Sequence, residues 1–174
     1  KEFAESIIES LNIPDEYITK ASVAGPGFIN LYIADKYYLS KLDAAGNFLW
    51  AIQAIASGSE ILGANTSTDS NGDIYTTGRF RGSVDFDPGA GVFNISSLGT
   101  SDIFISKLNA SGNFVWARRL GGVGNDQSWS MIYDPSGSGN IYSTGYFNGT
   151  ADFDPGVGMF NLTSAGSTDI FISK

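Results

Sequence analysis

Residues 72–107 of this chain read GDIYTTGRFRGSVDFDPGAGVFNISSLGTSDIFISK, and residues 139–174 repeat them 67 residues later without a gap. Of the 36 aligned positions, 23 are identical. Upstream, residues 40–50 match residues 106–116 at an offset of 66, so one residue is inserted between Trp116 and Gly139. A match of this length indicates an internal duplication, and a tandem duplication restricts the fold to repeat architectures.

Each repeat consists of short apolar runs separated by turn residues. Runs 103–108 and 113–119 flank Asn-Ala-Ser-Gly at 109–112, a pattern typical of a hairpin built on a type I turn. Runs 129–133 and 140–147 flank a second turn, and together the four runs predict a four-stranded meander. In residues 48–52 both strand faces are apolar, which favours sheets covered on both sides.

The repeat length separates two architectures. Propeller repeats usually run ~40–50 residues and solenoid coils ~20–29, whereas this repeat has 66–67. The excess matches a Gly-bounded insert at 82–99 and 149–166, which predicts a short hairpin, residues 83–87 with 92–96, on the rim of each blade. We therefore predict a mainly β chain containing a partial β-propeller of about two four-stranded blades with rim hairpins.

Three sequence blocks carry a family resemblance: Asp-Ile-Phe-Ile-Ser-Lys-Leu, Gly-Asn-Phe-Val-Trp and Gly-Asn-Ile-Tyr-Ser-Thr-Gly-Tyr-Phe. Through them residues 37–174 resemble the seven-bladed β-propeller repeat family of secreted and surface-exposed bacterial proteins. The resemblance implies a propeller, export from the cell and no enzyme activity. Since two repeats do not close a ring, the chain is interpreted as a fragment truncated at the C-terminus.

Residues 1–36 differ in composition from the repeats and are expected to form a short, incomplete α/β segment. Four Glu occur in residues 1–38, against one in the rest of the chain. Apolar residues at helical spacing in 3–11 predict a helix, Pro14 starts a short turn or helix over 14–19, and residues 28–33 predict a buried strand. We place the domain boundary between residues 36 and 37.

The motif Val-Ala-Gly-Pro-Gly-Phe-Ile-Asn-Leu at 23–31 resembles the N-terminal tRNA-binding domain of arginyl-tRNA synthetase. The resemblance implies that Phe28 and Asn30 contact tRNA, by stacking on a base and reading a base edge. Without His, the His-x-Gly-His loop of that family cannot exist, so the chain cannot aminoacylate alone. The alternative function is thus a tRNA-binding remnant joined to an unrelated repeat, by natural fusion or by an artefact.

Composition excludes several classes of function. The absence of Cys and His removes thiolate sites, His general acid–base catalysis and Ser-His-Asp triads, so we predict no enzyme and no obligatory cofactor. A net charge of −8 with Arg118-Arg119 as the only adjacent basic pair argues against nucleic acid as partner of the repeats. No apolar run is long enough to span a membrane. The expected location is secreted or at the cell surface, or cytoplasmic if the N-terminal segment defines the protein.

Paired aspartates are the candidate metal ligands. Asp85 and Asp87 lie two apart on one strand face, as do Asp152 and Asp154 one repeat later. These pairs suit Ca²⁺, but Asp-Pro-Gly is also a turn sequence, and we favour the turn. The run 69–73 resembles a Ca²⁺ loop faintly and is assigned to a hairpin turn.

Tryptophans are the candidate surface residues. Trp50 and Trp116 are repeat equivalents between apolar neighbours and are assigned to the core. Trp129 is not repeated, Leu62 taking its place in the alignment, and is the candidate for surface contact. The predicted function is a scaffold or surface-binding module, with a glycan or a protein as partner and tRNA only if the N-terminal resemblance is functional.

Overall fold

The computed structural model describes residues 18–23, 29–33, 37–42, 45–54 and 59–174, and the chain divides into two compact units, Lys1–Lys36 and Tyr37–Lys174. The described residues form antiparallel β-strands and contain no helix. The strands are β1 (Ile18–Val23), β2 (Ile29–Ile33), β3 (Tyr37–Leu42), β4 (Phe48–Ala54), β5 (Glu60–Thr68), β6 (Ile74–Arg81), β7 (Ser83–Asp85), β8 (Asn94–Ser96), β9 (Asp102–Leu108), β10 (Phe114–Gly122), β11 (Gln127–Tyr133), β12 (Ile141–Phe147), β13 (Thr150–Asp152), β14 (Asn161–Thr163) and β15 (Asp169–Ser173).

The first unit contributes one antiparallel pair. β1 and β2 run from the Val23–Ile29 pair to the Ile18–Ile33 pair. β2 coincides with the strand predicted at 28–33 from Ile29 onward. The turn or helix predicted over 14–19 is wrong for Ile18 and Thr19, which begin β1. The helix predicted at 3–11 lies outside the described residues.

The second unit contains one complete four-stranded meander, which we call the central meander: β5, β6, β9 and β10, each antiparallel to the next. β11, β12 and β15 form a three-stranded C-terminal meander, and β3 pairs with β4 alone. The prediction that residues 103–147 form one meander is therefore wrong, because β10 does not pair with β11 and β11 belongs to a different sheet. Repetition sets the length of the unit but not the residue at which a sheet starts.

The inserts form the two predicted hairpins, but their strands are shorter than the predicted 83–87 and 92–96, so Asp87 and Asp154 lie beyond the strands. β7 pairs with β8, and β13 with β14. β13 also pairs with the end of β10, through Gly121–Asp152 and Gly122–Ala151. The second hairpin thus extends the central meander into a six-stranded sheet ordered β14-β13-β10-β9-β6-β5. It ties one repeat to the preceding one.

Two aromatic cores recur at equivalent positions. The first contains Phe80, Phe86 and Phe104, whose ring centroids lie 5.2 to 6.5 Å apart. The second contains their repeat equivalents, packed against Ile103 and Leu120 of the central meander. The equivalents are Phe147, Phe153 and Phe171. The meanders therefore stack face to face, and burial of apolar area at this junction is the main force holding them together. Phe48 and Leu49 of β4 are exposed, so coverage on both faces fails for that strand.

The β5–β6 and β9–β10 turns of the central meander each use one side chain as acceptor. Asp69 Oδ1 accepts the N–H groups of Asn71 and Asp73, and Asn109 Oδ1 does the same for Ser111 and Asn113. In the longer turn before β12, Asp134 takes the place of Asp69 and accepts the Ser136 N–H. These side-chain bonds replace backbone partners that a turn lacks.

A partly buried ion pair joins the β5–β6 turn to β9. Lys107 Nζ lies 2.8 Å from Asp73 Oδ2 and 3.9 Å from Asp69 Oδ2, and 5.0 Å from the centre of the Tyr75 ring. Hydrogen bonding to Lys107 lowers the pKa of Asp73 and, in return, the Asp73 bond raises the pKa of Lys107. The contact links the β5–β6 turn to β9.

In the described part of the chain there is no helix of the length and apolarity needed to cross a bilayer.

Candidate functional site

The predicted metal ligands are engaged with their own loops. Asp85 Oδ1 accepts the N–H groups of Asp87 and Phe93, and Asp152 Oδ1 accepts those of Asp154 and Phe160. Bonds to Phe160 and Asp154 lower the pKa of Asp152. Each carboxylate therefore closes the hairpin loop that follows it.

The second aspartate of each pair bonds within the turn. Asp87 Oδ1 accepts the Gly89 N–H at 2.8 Å, and Asp154 Oδ1 accepts the Gly156 N–H at 2.7 Å. Within the described residues no three acidic, His or Cys side chains come together as a metal site would need. The geometry supports the turn interpretation of both Asp-Pro-Gly sequences, and the Ca²⁺ assignment stays a prediction.

A cleft of about 280 Å³ lies between the outer hairpins, with Arg118 and Arg119 at its floor and Asp152 and Asp154 at one wall. Its polar groups are already engaged. Arg119 donates to the Ser96 carbonyl and contacts buried Asp102, and Arg118 donates to the Ala117 carbonyl. We do not assign a ligand to this cleft.

Trp129 lies on a β-bulge, where one strand carries an extra residue. Ser128 pairs with Gly145 and Ser130 with Thr144, which leaves Trp129 without a cross-strand partner. A side chain on Gly145 would overlap the backbone oxygen of Gln127, so the bulge requires glycine opposite it. Bulges redirect a side chain out of the regular alternation, and 56% of Trp129 is exposed.

The register also corrects the alignment around Trp129. In β5 the bulge falls between Gly63 and Asn65, opposite Gly78. The extra residue there is Ala64, so Ala64 rather than Leu62 stands where the next repeat has Trp129. The two repeats share the bulge, and only the second places an aromatic ring on it.

A chain of polar contacts begins beside Trp129. The Trp129 ring meets the Tyr146 ring edge-on, with centroids 5.4 Å apart. Tyr146 Oη donates to Gln127 Oε1 at 3.3 Å and accepts from Asn125 Nδ2 at 3.3 Å. Arg79 Nη1 donates to the same Gln127 oxygen at 3.3 Å. We call these five residues the aromatic–amide patch.

The patch borders a recess of about 180 Å³ between the β5–β6 pair and the loop residues that precede β9 and β11. Arg79 and Asn125 line both the recess and the patch, and Glu60 stands at its rim, 3.2 Å from Arg79 Nη2. The result is one open surface with an aromatic platform at one side and amide, guanidinium and carboxylate groups at the other. Such a surface contains groups that can donate hydrogen bonds to a ligand and groups that can accept them.

Of the patch, sequence reasoning found Trp129 alone. Two of its partners differ in chemical type from the residues at the equivalent positions of the preceding repeat. Tyr146 stands where that repeat has Arg79, and Gln127 stands where it has Leu62. This difference between the two repeats is the sequence feature from which Tyr146 and Gln127 could have been predicted as site residues. Phe28, the first tRNA contact predicted by resemblance, lies outside the described residues. Asn30, the second, lies in β2 opposite Ser22.

Comparison with known proteins gives two separate results. Residues 1–33 match the family model of the arginyl tRNA synthetase N terminal domain, which confirms the resemblance over those residues. A WD repeat-containing protein of Acanthamoeba polyphaga mimivirus is 31% identical over 136 residues, which is 70% of this chain and 9% of that protein. The regulatory protein FlaEY of Caulobacter vibrioides is 26% identical over 135 residues, 75% of this chain and 14% of that protein.

The chain thus spans about a tenth of the length of these curated relatives. The likeness to a WD repeat-containing protein agrees with the antiparallel meanders and supports a repeat-type β scaffold. Neither relative carries the name of an enzyme.

Proposed function

We propose that residues 37–174 are consecutive blades of a β-propeller and form a non-catalytic module that binds a glycan at the aromatic–amide patch. The duplicated unit, the antiparallel meanders and the Phe-rich junction between them support the blade assignment. The absence of His and Cys from the sequence and the names of the relatives support a binding role rather than catalysis.

Exposed Trp129 is the observation that carries the glycan assignment. A pyranose has an apolar C–H face that packs on an indole ring and a rim of hydroxyl groups that both donate and accept. Gln127 Oε1 and Asn125 Nδ2 hold the Tyr146 hydroxyl group, and a side-chain amide has a second N–H group that it can donate to a ligand. Ligand sites combine an apolar surface with few, well-placed polar groups in this way, and Trp residues dominate binding energy where they anchor a contact.

Tryptophan fluorescence titrations of the full chain with a panel of neutral oligosaccharides test this function. We expect a saturable change with at least one oligosaccharide and its loss in Trp129→Ala. Gln127→Ala is expected to weaken binding about tenfold, the effect of losing one hydrogen bond of roughly 1.4 kcal/mol.

Trp116→Phe is the matched control, because Trp116 packs against Tyr75 away from the patch. It should bind as the unchanged chain does. A response that survives Trp129→Ala, or a panel without any Trp129-dependent response, refutes glycan binding at the patch. The role proposed also places the protein outside the cell or on its surface, which fractionation of the source cells would test.

The match of residues 1–33 favours a second candidate, binding of tRNA by the N-terminal unit. Filter binding of arginine tRNA to the full chain, beside a Phe28→Ala, Asn30→Ala double variant, tests it. Salt-sensitive binding lost in the double variant would support the candidate, since phosphate contacts make such binding salt-dependent. Equal binding by both chains would reject it.

A further inference from the structure

Two fully buried carboxyl groups lie together at the junction between the central meander and the outer hairpin β13–β14. Asp102 begins β9 and Asp126 immediately precedes β11, and both have an exposed fraction of 0%. A side chain on Gly121 would place its Cβ 2.8 Å from Asp126 Oδ2 and 3.0 Å from Asp102 Cγ. The two carboxyl groups therefore flank the same backbone position, at the point where β10 turns to pair with β13.

Three of the four carboxyl oxygens have hydrogen-bond partners. Asp126 Oδ2 accepts the Gly122 N–H at 2.8 Å, and its Oδ1 accepts the Asn148 N–H at 3.0 Å. Asp102 Oδ2 accepts the Leu98 N–H at 2.9 Å. Asp102 Oδ1 has no partner, and it is the one such buried side-chain atom in the described residues. An unpartnered buried oxygen costs free energy, and far more so when it is charged.

The surrounding charges do not balance two carboxylates. Arg119 on β10 faces Asp102, with Nε 3.4 Å from Oδ2, and also donates to the Ser96 carbonyl. Asp152 on β13 also lies near this guanidinium, and Arg118 and Asp154 line the same cleft. Burial raises the pKa of Asp102 and of Asp126, and the Asp126 charge raises that of Asp102 further. The second carboxylate thus has no cation of its own.

We propose that Asp102 and Asp126 share one proton, carried on Asp102 Oδ1, and that this proton closes the junction between the two repeats. The proton neutralises the carboxylate whose buried Oδ1 lacks a hydrogen-bond partner, and it thereby removes one of two like charges. A cation suits the site poorly, because Ca²⁺ takes six to eight oxygen ligands and three of these four oxygens already accept hydrogen bonds.

The shared proton makes the junction sensitive to pH. Asp126 connects the end of β10 at Gly122 to Asn148, which leads into β13, so its bonds cross the junction. A carboxyl group whose pKa is raised by folding stabilises the fold fully below its unfolded pKa of about 3.9. That contribution is lost as pH rises through the folded value. The junction is therefore more stable in mildly acidic solution than at neutral pH.

Urea unfolding of the full chain between pH 4 and pH 8 tests the proposal. Asp102→Asn places an N–H donor where the proton would be, and so mimics the closed form at every pH. Relative to this variant, we expect the folding constant of the unchanged chain to fall up to tenfold per pH unit between about pH 4 and the folded pKa. Asp169→Asn is the matched control, since Asp169 accepts the Ala165 N–H as Asp102 accepts that of Leu98 but is not buried.

The free energy of unfolding of the Asp169→Asn variant should change with pH in the same way as that of the unchanged chain. ¹³C NMR titration of the aspartate carboxyl groups gives a second measurement, in which Asp102 or Asp126 should titrate clearly above pH 4. Titration of both at or below pH 4 would overturn the proposal, as would a parallel pH dependence in Asp102→Asn. Restoration of stability by Ca²⁺ at pH 7 would also overturn it, by showing that a cation holds the pair.

Discussion

Ile103 and Ile170 are identical residues at equivalent positions of two consecutive repeats, but their surroundings differ. Ile103 has an exposed fraction of 0% and packs against Phe147 and Phe171 across the junction, whereas 78% of Ile170 is exposed. Truncation of a fully buried Ile to Ala costs about 2–5 kcal/mol, from lost transfer energy and the cavity left behind. An exposed substitution stays within about 0.5 kcal/mol.

Urea unfolding of Ile103→Ala and Ile170→Ala measures this difference with one chemical change. At an m-value of roughly 2 kcal/mol/M, the midpoint of Ile103→Ala should fall by about 1–2.5 M and that of Ile170→Ala by less than about 0.3 M. Equal shifts in the two variants at every protein concentration would refute the stacking of meanders through Ile103. A normal midpoint for Ile103→Ala would refute it as directly.

Three further predictions follow from other contacts. Lys107 lowers the pKa of Asp73. The stability that this pair contributes should therefore be present above about pH 4 and lost as pH falls through the folded pKa of Asp73. In urea unfolding, Asp73→Asn should remove that pH dependence. Gly145→Ala should destabilise the chain by about 1–3 kcal/mol through overlap with the bulge, whereas Gly166→Ala, which meets no atom within 4 Å, should leave the urea midpoint nearly unchanged. We expect the chain to self-associate through the face of β15 that carries Ile170 and Ile172, which is apolar and exposed, and Ile170→Asp should reduce that association in analytical ultracentrifugation.

Local patterns predicted the elements of the repeat. The turn residues at 109–112 and the Gly-bounded inserts placed hairpins where the structure has β9–β10, β7–β8 and β13–β14. These features depend on residues close together in sequence, which set turn geometry directly. Strand existence followed from the same short apolar runs.

Pairing between distant residues could not be obtained in this way. β10 pairs with β13 through Gly121 and Gly122 and not with β11, and the apolar pattern within β10 carries no information on a partner about 30 residues away. The close approach of Gly122 to Thr150, where a side chain would overlap the backbone, shows how the choice is made. The Asp102–Asp126 pair depends on such long-range contacts, since its two members are 24 residues apart and are brought together where Ser101 pairs with Asn125 and both carboxyl groups flank Gly121.

Departures from the repeat identify the candidate site better than its shared residues do. Positions that are the same in both repeats, such as the aspartates at 85 and 152, bond to the hairpin loops that both repeats possess. A loop-closing residue has to recur wherever its loop recurs, and so recurrence alone does not indicate a ligand. Trp129 stands on a bulge that both repeats share, yet the preceding repeat carries Ala64 there. The fold does not require an indole at that position, because the same backbone is built with a methyl group, and this is why Trp129, rather than a residue that recurs in both repeats, is the ligand contact that we propose.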